Sequence, residues 1–163
     1  MMTLAESSEF SQASEPMRYR YFVAAPMSGL NAEEYPDFRR WVMGVVDHLE
    51  SDGDPVYFAG RKIEQSSDFN SPKYAAVHDL EAIKTSDEFV LIYPRQCNTS
   101  AIFEVGVAVG LGLKVTIFTS NRNELVFMLR NTEAFAVLDW ANTVKIIEYG
   151  DRLPVASTIG KHL

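Results

Sequence analysis

The alternation of strand-like and helix-like segments constrains this chain more than any other feature. "EFVLIYP" (88–94) and "KVTIFT" (114–119) are near-continuous apolar runs, the pattern of strands covered on both faces. Between them lies a helix-length apolar segment from about Ser100 to Leu113. Upstream, "YRYFVAA" (19–25) reads as a strand that stops at Pro26, and "PVYFAG" (55–60) as a second. Residues 33–51 follow a helical period, with Tyr35, Phe38, Val42, Val45, Val46 and Leu49 at three- and four-residue steps. Asn31 is positioned to cap that helix and Asp52-Gly53 to end it. Ser71, as a cap, and Pro72 open another helix, to about Thr85. "NELVFMLRN" (123–131) reads as a short amphipathic helix, and "AFAVLD" (134–139) and "TVKIIEY" (143–149) as strand-like segments. This order predicts an α/β fold, a parallel central sheet with helices on both faces. Ligands in such folds bind at the carboxyl ends of the strands, which marks loops 26–31, 60–71 and 94–99.

A length of 163 residues suits one domain, expected over 18–150 between an N-terminal tail (1–17) and a C-terminal tail (151–163). The net charge of −7 argues against a nucleic-acid backbone as partner, because no basic excess exists to replace counterions. No apolar run is long enough to span a bilayer, and no basic segment precedes an apolar core at the N-terminus. A single cysteine, Cys97, excludes an intrachain disulfide and fits a reducing, cytoplasmic setting. His48, His78 and His162 show no metal-ligand spacing, so no metal is expected. Gly106, Gly110 and Gly112 lie inside and after a helix rather than in the turn before it, so they do not form a dinucleotide fingerprint. Gly106 and Gly110 suggest instead a close approach by another element. No cofactor is expected.

Within the apolar segment 100–113 stands one carboxylate, Glu104. Taken alone it reads as an ordinary acid in a helix's first turn. Its place after a buried strand sets it at the mouth of the ligand crevice, with Ser100 one turn earlier on the same face. Burial would raise its pKa and the helix's positive end would lower it. Asp79, alone, reads as a solvated helix residue.

Three segments together, "YFVAAP" (21–26), "HDLEAIKTSDEFVLIY" (78–93) and "SAIFEVGVAVGLGLKV" (100–115), resemble the nucleoside 2-deoxyribosyltransferase superfamily, which includes nucleoside 5'-monophosphate N-glycosidases. The likeness covers most of residues 19–131. It implies a flavodoxin-like or Rossmann-like three-layer sandwich, assembled as a homodimer or higher homo-oligomer. The Glu-x-Gly-x-Ala motif falls on Glu104-Val105-Gly106-Val107-Ala108, which makes Glu104 the implied nucleophile. By the same resemblance Asp79 is a substrate-orienting acid and Tyr21 a neighbour of the catalytic carboxylate. Pro26, Ser28 and Gly29 of the first loop, with Ser100 at the helix's amino end, are the implied substrate-binding residues. The chain departs from the family in having no acid in "NTSAIF", no basic residue in "PMSGLNAEE" and no aromatic in "STIGKHL".

A carboxylate suits this chemistry. Breaking an N-glycosidic bond develops positive charge at the anomeric carbon, which a carboxylate can stabilise or bond to; water or another base then resolves the intermediate. The expected partner is therefore a nucleoside or nucleotide. Two alternatives are a TIR-like NAD glycohydrolase, with the same sheet and a catalytic Glu, and a nucleotide-sensing module without turnover.

Overall fold

A computed structural model describes residues 16–64, 72–97, 99–131 and 134–160. Five strands form one parallel sheet: β1 (Tyr19–Ala24), β2 (Val56–Phe58), β3 (Ser86–Ile92), β4 (Lys114–Thr119) and β5 (Ala136–Asp139). Their spatial order is β2-β1-β3-β4-β5, the flavodoxin-like order, and the order reverses direction between β1 and β3. Four helices cover the sheet: α1 (Tyr35–Glu50), α2 (Pro72–Lys84), α3 (Ala101–Gly110) and α4 (Trp140–Tyr149). The side chains of each strand alternate between two cores. Phe22, Phe89, Leu91, Val115 and Ile117 pack beneath α2 and α3. Tyr21, Val23, Val90, Ile92 and Phe118 face α1 and α4. The α/β sandwich read from the sequence is therefore the observed fold, and no helix among the described residues is long and apolar enough to cross a membrane.

Two elements differ from expectation. The segment 143–149 is helical, as part of α4, despite its β-branched composition. Its ends decide the matter: the Asp139 carboxylate accepts from the Asn142 N–H at 2.9 Å, and Gly150 closes the helix in the left-handed region at φ 72°. Thr143, Ile146 and Ile147 then lie on one inward stripe. The segment 123–131 is not one amphipathic helix but two 3₁₀ turns, Arg122–Glu124 and Phe127–Arg130, with extended backbone at Leu125 and Val126 between them. The break lets Leu125 and Leu129 both enter the core while Phe127 and Met128 face outward.

Smaller differences follow from capping. Asn31 accepts from the Glu33 and Glu34 N–H groups, so it caps the turn that leads into α1 rather than the helix itself. The Ser71 cap lies outside the described residues. Gly106 and Gly110 are exposed, and nothing lies within 4 Å of where a Cβ would stand, so the close approach expected of them does not occur within this chain. The segment read as a C-terminal tail is anchored over 153–157. Leu153, Val155 and Ala156 are buried, and the Ala156 N–H donates to Thr116 Oγ1 at 2.8 Å.

Candidate active site

A cavity of about 140 Å³ opens at the carboxyl ends of β1 and β2, beside the β1–β3 boundary where the strand order reverses, and α2 and α3 complete its wall. The charged side chains on its described lining are the two carboxylates Asp79 and Glu104; His78 stands beside them, and no Lys or Arg does. Asp79 comes from α2, and Glu104 from the first turn of α3. The topology thus brings together two acids 25 residues apart in the chain.

Glu104 is half-buried and its carboxyl is pushed up to about 7. Burial is the main cause, the charge of Asp79 adds to it, and a hydrogen bond with Ser100 pulls it back. Burial therefore beats the helix's positive end, whose effect on a carboxylate is typically only about 0.3–1 kcal/mol. Asp79 is also raised by burial, with a hydrogen bond from Tyr57 and the neighbouring His78 opposing the rise. The Tyr57 hydroxyl donates to Asp79 Oδ1 at 2.7 Å. Its phenol is raised by burial and by that bond, so it stays protonated and remains a donor.

The residues singled out in the sequence divide as follows. Glu104, Asp79, Ser100 and Ser28 all line the cavity. Pro26 and Gly29 do not; they shape the first loop, where the Gly29 N–H donates to the Pro26 carbonyl at 3.1 Å. Tyr21 is a correction. It packs with Val23 and Leu49 in the core on the opposite face of the sheet, away from the carboxylates. Adjacent residues of a strand point to opposite faces, and it is Phe22 that points to the cavity. Cys97 remains incidental, since burial pushes its thiol up and away from the reactive thiolate. Among the described residues no group of three His, Cys, Asp or Glu side chains could hold a metal.

Sequence reading missed Tyr57 and Gly60. Tyr57 sits near the end of β2, beside a loop already marked by the carboxyl-end rule, and that position was the available signal. Gly60 has no room for a side chain, because a Cβ there would lie 2.5 Å from the buried Phe58 ring, which fixes the wall of the cavity at this point.

No family model matches the sequence, and no curated protein matches it. Solved structures do share the fold. One is the Clostridium botulinum CMP N-glycosidase BcmB, with a TM-score of 0.58 at 19% identity over 80% of this chain and 96% of that one. Another is the TIR domain of the Toll-related receptor TRR-2 from Hydra magnipapillata, with a TM-score of 0.55 at 15% identity over 80% of this chain and 93% of that one. At these identities the likeness is one of fold.

Proposed function

We propose that this protein cleaves, or transfers at, the N-glycosidic bond of a nucleoside or nucleotide, with Glu104 meeting the anomeric carbon. The observation that carries the proposal is a half-buried carboxylate beside a second acid in the cavity at the sheet's reversal point. The motif resemblance to the nucleoside 2-deoxyribosyltransferase superfamily supports it, as does the fold shared with a CMP N-glycosidase. As the C–N bond breaks, its electron pair leaves with the base. The Glu104 carboxylate then stabilises the cationic sugar carbon or bonds to it, and water or an acceptor base completes the reaction. Asp79 orients the substrate, and the Ser28 and Ser100 hydroxyls line its pocket. The test is chromatographic detection of free base from a panel of nucleosides, nucleotides and NAD. Release from none of them removes the proposal.

A shared fold with a TIR domain favours one second reading, NAD glycohydrolysis at the same carboxylate. Nicotinamide release within that panel, without release from nucleosides or nucleotides, selects it.

A nucleophilic Glu104 must be ionised. With its carboxyl pushed up to about 7, kcat/KM is expected to rise with pH through that value and level off above it. A fall above pH 7 instead would mark Glu104 as a proton donor.

The homo-oligomer implied by the resemblance has a surface available. Phe103 and Leu111 of the α3 region are exposed, and Gly106 and Gly110 keep the face between them flat. A contiguous exposed apolar stripe of this kind marks a surface for association. Sedimentation is expected to give a dimer or larger species, which Phe103→Glu weakens; a monomer at micromolar concentration would remove this expectation.

A further inference from the structure

The site holds one arrangement that the proposed reaction leaves unused. Tyr57 of β2, Phe22 of β1 and Phe89 of β3 are in register and face the same side of the sheet. Their rings form a continuous stack, with centroids 5.1 Å apart for Tyr57–Phe22 and 5.2 Å for Phe22–Phe89. Tyr19 closes on the Tyr57 ring edge-on at 5.3 Å. Aromatic pairs of this kind hold a ring in place beyond what area burial supplies. The stack runs from the middle of the core to the cavity wall and ends in the Tyr57 hydroxyl, 2.7 Å from Asp79 Oδ1.

Resting on the glycosidic reading of this cavity, we infer that Tyr57 is a positioning residue. It fixes Asp79 through Oδ1 and leaves Oδ2 to accept a hydrogen bond from the substrate, and so sets specificity for a ligand carrying a donor at that point. Three observations combine here. The phenol stays protonated, so the hydrogen in the Tyr57–Asp79 contact belongs to Tyr57 and Oδ1 is occupied as an acceptor. Oδ2 receives no hydrogen bond among the described residues, although an ionised carboxylate has acceptor capacity on both oxygens. The other ionisable groups facing Asp79 are Glu104 from α3 and His78 from its own helix, and the Tyr57 bond favours the charged, accepting form against the burial that opposes it. A side chain held by a rigid strand keeps its partner aligned better than a loop residue would. The donor is the sugar's 2'-hydroxyl or an amino group of the base.

Tyr57→Phe keeps the ring and its stacking and deletes only the hydroxyl. Its kinetics are measured on cytidine, uridine, adenosine, inosine and their 2'-deoxy counterparts. The expected result is a roughly tenfold loss of kcat/KM on substrates bearing the donor that Asp79 reads, and about twofold or less on those lacking it. A loss confined to ribonucleosides assigns the sugar hydroxyl; a loss confined to cytosine and adenine assigns the base amino group. A uniform loss, or none, overturns the inference while leaving the glycosidic reading intact. If the wild-type protein releases no base from these, from nucleotides or from NAD, the glycosidic reading fails separately. The positioning role is then decided by carboxyl-carbon NMR titration of Asp79: a higher pKa in Tyr57→Phe supports it, and an unchanged one overturns it.

Discussion

Glu104→Gln is expected to lower base release by about 10³-fold or more while leaving the fold intact. The amide matches the carboxylate in shape, so the cavity is preserved, but it can neither bond to an anomeric cation nor carry the charge that stabilises it. The same substitution has an expected effect on stability. The folded carboxyl titrates at about 7, above its ordinary value of 4.5. A carboxyl raised in this way contributes stability that is fully present below pH 4.5 and is lost as the pH rises through about 7. Gln has no such loss. Relative to wild type, the variant should therefore gain stability between pH 4.5 and 7 and hold a constant advantage above that, on the order of 3 kcal/mol. Thermal melts at pH 4.5 and pH 8 measure the difference. A variant that turns over like wild type ends the catalytic assignment, and one that melts lower than wild type at pH 8 contradicts the burial cost.

The second large effect is expected at a buried acid of the sheet itself. Glu88 is 1% exposed on β3, in register with Tyr21 of β1 and Lys114 of β4. Its Oε2 accepts from the Ser157 N–H at 3.1 Å. Its Oε1 receives no well-aligned hydrogen bond, but the Arg20 Nη2 stands 2.8 Å away, so the contact is ionic rather than directional. Arg20 also reaches Ser157 Oγ at 3.3 Å and is held over the Tyr21 ring. Glu88 is therefore the anchor of the segment around residue 157. Glu88→Ala removes a buried acceptor, leaves an amide without its partner and opens a void, at a cost of roughly 2–4 kcal/mol. A fall in Tm of about 5–12 °C is expected, with faster hydrogen exchange at Ser157. Glu88→Gln, which keeps an acceptor for the Ser157 N–H, should lose less. If both variants melt with wild type, the segment is held by Leu153 and Val155 alone.

These two acids show what was legible in the sequence. Glu104 stands alone in apolar company, whereas Glu88 follows the polar Ser86 and Asp87 at the start of an apolar run. Glu104 was identifiable because it follows a buried strand at the carboxyl end of a parallel sheet, where ligands bind. Glu88 sits at the opposite end of its strand, where no such rule applies, and its partners Arg20 and Ser157 are distant in sequence. Strands covered on both faces announce themselves as unbroken apolar runs, which is why β3 and β4 were readable. The same continuity hides which residue faces which side. Tyr21 and Phe22 differ by one position, and that step alone moves a side chain from one core to the other. The segment 143–149 misled through its β-branched residues, whose weak strand preference yields to a cap at Asp139 and a stop at Gly150. Tyr57 escaped notice because its role depends on Asp79, 22 residues away, and on the ring stack behind it.

The central claim is that a sugar carbon meets the carboxylate of residue 104. Glu104→Gln should retain a nucleoside without consuming it, which makes a crystal structure of that variant soaked with substrate the most direct measurement. The anomeric carbon is expected to face the side chain of residue 104 at about 3–3.5 Å, the separation of reacting atoms poised for attack. A nucleoside seated with its sugar elsewhere, and only its base against residue 104, would contradict it.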